Sequence, residues 1–99
     1  MKVICRYLPD AGSTDYDDSI LVLDFEHSAG RLSEDGESFE FSIERINNTD
    51  AALHWRNESP IYPSDNLIGL GNLTAGEFLT RTDGRTGESW DYVIEQVSS

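Results

Sequence analysis

Cysteine and lysine each occur once in this sequence, at Cys5 and Lys2, and histidine occurs only at His27 and His54. A single thiol excludes an internal disulfide framework and fits a reducing compartment. No Cys-x-x-Cys or His-x-x-x-His spacing is present, so zinc has no support. The glycines make no phosphate-binding loop, because Gly69-Leu70-Gly71 is followed by neither Gly-Lys-Ser/Thr nor a helical pattern. Long hydrophobic runs are missing too. The apolar stretch after Lys2 is broken by Arg6 and ends at Pro9, too short for a signal peptide or a membrane span. No window holds apolar residues at i, i+3, i+4 and i+7 over three turns, which argues against a long helix; one short turn behind Asp50 is the most the pattern allows. The expectation is a cytoplasmic protein without cofactor or metal.

Bases are the scarcest class relative to their counterpart. Seven stand against nineteen acids, for a net charge of −12 in 99 residues. Twelve of the acids lie between positions 10 and 50, with only Arg31 and Arg45 among them. This balance argues against nucleic acid or an anionic membrane as a direct partner. Val, Ile, Leu and Phe supply 24 residues, enough to fold a single domain spanning 1–99.

The apolar pattern has period two. Phe39, Phe41 and Ile43 alternate with Glu40, Ser42 and Glu44, as in a strand with one wet face. Trp90, Tyr92 and Ile94 alternate likewise, while Ile20 to Leu23 is apolar on both faces, as in a central strand. Strands are expected near 2–8, 19–27, 38–46, 51–56, 77–82 and 89–97, with Leu67 to Leu70 a weaker candidate. The expected core holds Ile20, Val22, Phe39, Phe41, Ile43, Phe78, Trp90, Tyr92 and Ile94. Asp35-Gly36 and Asp83-Gly84 provide turn residues that tolerate positive φ, and the second is read as closing a C-terminal hairpin with Gly84 at positive φ. The fold class is therefore all-β, with six to seven strands in a small antiparallel sandwich or, as second choice, a compact barrel. The run from Phe39 through Asn47-Asn48-Thr49-Asp50 to Trp55, followed by Leu73 to Phe78, resembles the rhythm of bacterial immunoglobulin-like domains. That resemblance favours the sandwich and implies no functional residue.

Catalytic constellations are not legible. His27 and His54 could each be drawn beside a serine, but no Gly-x-Ser-x-Gly elbow restricts the choice, and Cys5 reads as a buried thiol. Asp15, Asp17 and Asp18, with Asp10 nearby, offer oxygens of the kind calcium takes, without the Asp-x-Asp-x-Asp-Gly order or terminal glutamate of a strong site. Trp55, Trp90, Tyr62 and Tyr92 invite a sugar-stacking reading, set against the plainer one of core aromatics. The expected function is a non-catalytic binding or accessory protein. In it Asp15, Asp17, Asp18, Glu26, Glu40 and Glu44 present an acidic face to a basic protein partner, by analogy of charge and size with inhibitors that imitate DNA and with immunity proteins. The alternatives are a β-domain that self-associates as a homodimer and a small-molecule or sugar-binding module.

Overall fold

The computed structural model describes residues 1–8, 19–57 and 63–98. Eight strands run in chain order around a closed antiparallel barrel: β1 (Lys2–Leu8), β2 (Ile20–Asp24), β3 (Ala29–Glu34), β4 (Glu37–Arg45), β5 (Asp50–Trp55), β6 (Asp65–Ile68), β7 (Phe78–Thr82) and β8 (Ser89–Ser98). Each strand pairs with its neighbours in sequence, and β1 closes the ring on β8 from Lys2↔Ser98 to Leu8↔Asp91. The register shifts where Ile4 faces Gln96 and Cys5 faces Ile94, which leaves Glu95 as an extra residue on β8, a bulge of the kind that bends a strand into closure. The all-β expectation holds, and the compact barrel replaces the two-layer sandwich. Closure leaves no exposed sheet edge, which is how an up-and-down barrel satisfies every strand.

Two strands change the count from six or seven to eight. β3 carries Gly30, Arg31 and Ser33 around a single inward leucine, Leu32, so its apolar alternation is too thin to read. It exists because the Asp35-Gly36 turn needs a strand on both sides. Asp35 has φ 49° and Gly36 φ 80°, and Glu34 pairs directly with Glu37 across this two-residue loop. β6 begins at Asp65 rather than Leu67, with its polar first residue pointing into the barrel.

The core is a column of side chains from alternate positions: Val3, Cys5, Leu21, Leu23, Leu32, Phe41, Ile43, Ala51, Leu53, Leu67, Leu79, Tyr92 and Ile94 are buried. Phe41, Ile43, Tyr92 and Ile94 lie where the alternation places them. Ile20 and Val22 do not; Leu21 and Leu23 fill the interior instead, because a strand apolar on both faces carries no phase. Phe78 is likewise 58% exposed, and its neighbour Leu79 is buried. Across the β7–β8 hairpin Leu79 pairs with Tyr92 and Arg81 with Trp90, so the inward face of β8 dictates that of β7.

The barrel is filled unevenly along its axis. At the end where β2 meets β3, β4 meets β5 and β6 meets β7, Leu70 is buried and Phe25, Leu73 and Val97 pack on the core. At the other end Phe39 is 40% exposed, and Trp55 and Trp90 are half-buried. Outward positions are polar on β4 (Glu40, Ser42, Glu44) and at Thr80, Asp91 and Glu95, while Ile20, Ile68 and Phe78 are exposed apolar residues on β2, β6 and β7. Among the described residues no helix is long and apolar enough to cross a membrane.

Candidate functional site

The open end of the barrel is a cup of about 590 Å³. Strand alternation builds it, since the residue one step nearer the rim from each buried leucine or aromatic also points inward. Beyond Leu67 comes Asp65; beyond Leu79, Arg81 and then Asp83; beyond Leu53, Trp55; beyond Tyr92, Trp90; beyond Leu32, Glu34; beyond Phe41, Phe39. All these rim residues line the cup, joined by Glu40 and Asn57.

Arg81 forms its floor. It is 6% exposed, an unusual depth for a guanidinium, and each neighbour explains part of that. Nη1 donates to Asp65 Oδ2 at 2.8 Å, and Nε donates to the Tyr92 hydroxyl at 3.1 Å. The guanidinium carbon stands 4.3 Å from the centroid of Trp90 and 5.7 Å from that of Trp55. Burial by itself opposes the charge on Arg81, but Tyr92 and Asp65 together outweigh it and hold the guanidinium firmly protonated. Burial also pushes the Tyr92 phenol upward, against the partial relief that Arg81 provides, so the hydroxyl is neutral at physiological pH. Nη2 takes no hydrogen bond among the described residues.

The partners of Arg81 are themselves held. Asp65 Oδ1 accepts the backbone N–H of Gly84 at 3.3 Å, which ties the start of β6 to the β7–β8 loop. That loop is shaped by Asp83, whose Oδ1 accepts the N–H groups of Arg85 at 2.7 Å and Thr86 at 3.1 Å; these bonds hold its carboxyl below the usual aspartate range. Gly84 is outside the positive-φ region, contrary to the sequence expectation, and Gly87 has φ 78° instead. Gly84 is required for another reason: a Cβ there would collide with the Ser64 carbonyl and sit 2.9 Å from that of Pro63. Trp55 is fixed by Phe41, edge-on at 5.2 Å and 80°, and the Tyr7 ring leans on Tyr92 at 5.8 Å. The walls of the cup are therefore set before anything enters.

Of the residues expected to form an acidic face, the structure describes Glu26, Glu40 and Glu44. Glu26 is exposed in the turn after β2, at the closed end. Glu40 and Glu44 share the outer face of β4, as period two requires, and each has a basic partner: Arg56 Nη1 lies 2.9 Å from Glu40, and His54 Nε2 lies 3.3 Å from Glu44. Arg31 stands opposite Glu40 in the β3–β4 register. Asp15, Asp17 and Asp18 fall outside the described residues, as does Tyr62. Among the described residues no three Cys, His, Asp or Glu side chains gather as metal ligands would. His27 bonds Asp24 at 2.8 Å beside the closed end, and Cys5 is buried with its thiol pushed up to about 12, chiefly by burial.

Sequence reasoning missed Arg81 and Asp65 and placed Trp90 in the core. The available signal was slight: in Phe78 to Thr82, Leu79 and Arg81 share a face, and the pairing of that face with Trp90 and Tyr92 depends on the loop between the strands. Comparison with protein-family models, with curated proteins and with solved structures finds no match, so the cup is read from its own residues.

Proposed function

We propose that this chain is a small non-catalytic binding protein, a β-barrel that takes a small molecule into the cup at its open end. The observation that carries this reading is the convergence of both tryptophans on the buried ion pair Arg81–Asp65, around a cavity of about 590 Å³. A space of that size lies within the range of small-ligand sites, which are mostly apolar with a few fixed polar groups. Replacing a buried pair by apolar residues of similar volume is often neutral or stabilising, so stability alone gives little reason to retain it. The pair earns its place in this reading by presenting a rigid donor edge at the floor.

A ligand site in the cup is preferred to a basic protein docking on the outer face. Arg56 lies 2.9 Å from Glu40 there, and Arg31 is its strand partner on β3, so the charge is locally balanced around Glu40. Buried, reduced Cys5 suits cytoplasmic residence, which belongs to the same proposal.

Tryptophan emission tests the reading directly, because both indoles line the cup. Titration with a panel of small neutral, cationic and anionic organic molecules is expected to give a saturable change with at least one class. In Trp90→Ala the signal from the remaining Trp55 should stay flat over the same range while thermal unfolding remains cooperative. Emission that does not respond to any class would remove the proposal.

A further inference from the structure

The charges and surfaces of the cup also select what can enter it, and this inference rests on the ligand-site reading above. Arg81 contributes no net charge to the floor, because Asp65 opposes it at 2.8 Å. The rim is then acidic: among the described residues Glu34, Glu40 and Asp83 line it with no further base, while Arg56 offsets Glu40 and Arg81 and Arg85 act on Asp83. Asp83 is held ionised by the backbone of its own turn. Between these carboxylates stand Phe39, Trp55 and Trp90, whose ring faces attract cations and are apolar enough to accept methyl or methylene groups. The fold already places one cation on this aromatic surface, with Arg81 at 4.3 Å from Trp90. An anion drawn to the free edge of Arg81 would have to pass the rim carboxylates and the field of a chain with a net charge of −12.

We infer that the cup binds a small organic cation, a quaternary ammonium or protonated amine that carries an oxygen acceptor. The cationic head lies against Trp55, Trp90 and Phe39 under the rim carboxylates. The oxygen accepts a hydrogen bond from Arg81 Nη2. Choline has both features, and 3,3-dimethylbutan-1-ol has the same shape and hydroxyl without the charge, so the two form a matched pair of probes.

The experiment is a titration of the full chain with choline, with the neutral alcohol and with acetate, followed by tryptophan emission and checked by calorimetry. Choline is expected to bind saturably and at least about tenfold more tightly than the alcohol, the gap expected of a charge against aromatic faces and carboxylates. Glu34→Gln keeps an acceptor for the Ser19 hydroxyl, which bonds Glu34 at 3.1 Å. It should weaken choline several-fold and leave the alcohol unchanged, with the unfolding midpoint of the variant confirming that the barrel is intact. If the alcohol or acetate binds as tightly as choline, or if Glu34→Gln weakens choline and alcohol equally, the cation inference falls while the cup remains a ligand site. If none of the three gives saturable binding, and the wider panel gives none, both fall together.

Discussion

Arg81 is the residue whose burial needs the most support, and removing one support should show it. Asp65→Asn leaves the guanidinium charged, 6% exposed and without its counter-ion, a change that costs about 3–5 kcal/mol in comparable buried pairs. Chemical denaturation of Asp65→Asn, Arg81→Met and the combination Asp65→Leu with Arg81→Met should find the double variant more stable than Asp65→Asn, because it leaves no buried charge behind. A second prediction concerns Cys5. Its thiol faces the barrel interior with no exposed surface, and burial pushes its pKa up to about 12. It should therefore resist an aromatic disulfide reagent at pH 8 in the folded protein and react once per chain in denaturant, since the thiolate is the reactive form. Arg81 lay outside the sequence reading for a physical reason. A buried arginine looks the same in a string of letters as an exposed one, and only its partners, sixteen and eleven residues away, make the depth tolerable.

At the scale of elements, the β7–β8 hairpin joins the floor of the cup to its rim. Its loop begins at Asp83, whose carboxylate serves two backbone donors and has a lowered pKa. A carboxylate whose pKa is lower folded than unfolded stabilises the native state fully above the unfolded value of about 3.9, and that contribution disappears as pH falls through the folded value. Asp83→Asn keeps an oxygen acceptor but cannot titrate. The variant should thus have a lower unfolding midpoint than the parent at pH 7 and lose part of the acid-limb decline below about pH 4, so that the two proteins converge in acid. Gly84 makes a sharper test of the loop. Because its site is closed by the carbonyls of Ser64 and Pro63 and its φ is ordinary, Gly84→Ala should destabilise by about 1–3 kcal/mol through crowding. Gly36→Ala, where φ is 80° and nothing lies within 4 Å, should cost about 1 kcal/mol through backbone strain alone. The turn at Asp35-Gly36 was legible because its chemistry is local; the reason for Gly84 was not, because the colliding carbonyls belong to the β5–β6 connection.

For the whole molecule, closure and charge pull in different directions. The ring of eight strands needs β1 and β8, the two ends of the described chain, to meet along their length. A net charge of −12 on so small a body repels itself, with most of the described acids on the outside. The unfolding midpoint should rise when ionic strength goes from about 10 mM to about 150 mM, which shortens the screening length from about 30 Å to about 8 Å. A flat response would mean that the exposed pairs, such as Arg56–Glu40 and Arg6–Glu95, already balance the field locally. The sequence by itself determined the all-β class, the inward faces of β4 and β8, the Asp35-Gly36 turn, the place of the β7–β8 turn and the acidity, because period two, turn residues and charge are properties of neighbours along the chain. Only the tertiary structure decided that the sheet closes on itself, that Leu21 and Leu79 face inward in place of Ile20 and Phe78, and that two tryptophans, Arg81 and Asp65 meet in one cup. Each of these depends on which strand lies beside which, a choice set by long-range pairing between β1 and β8 and by the loop that sets β7 against β8.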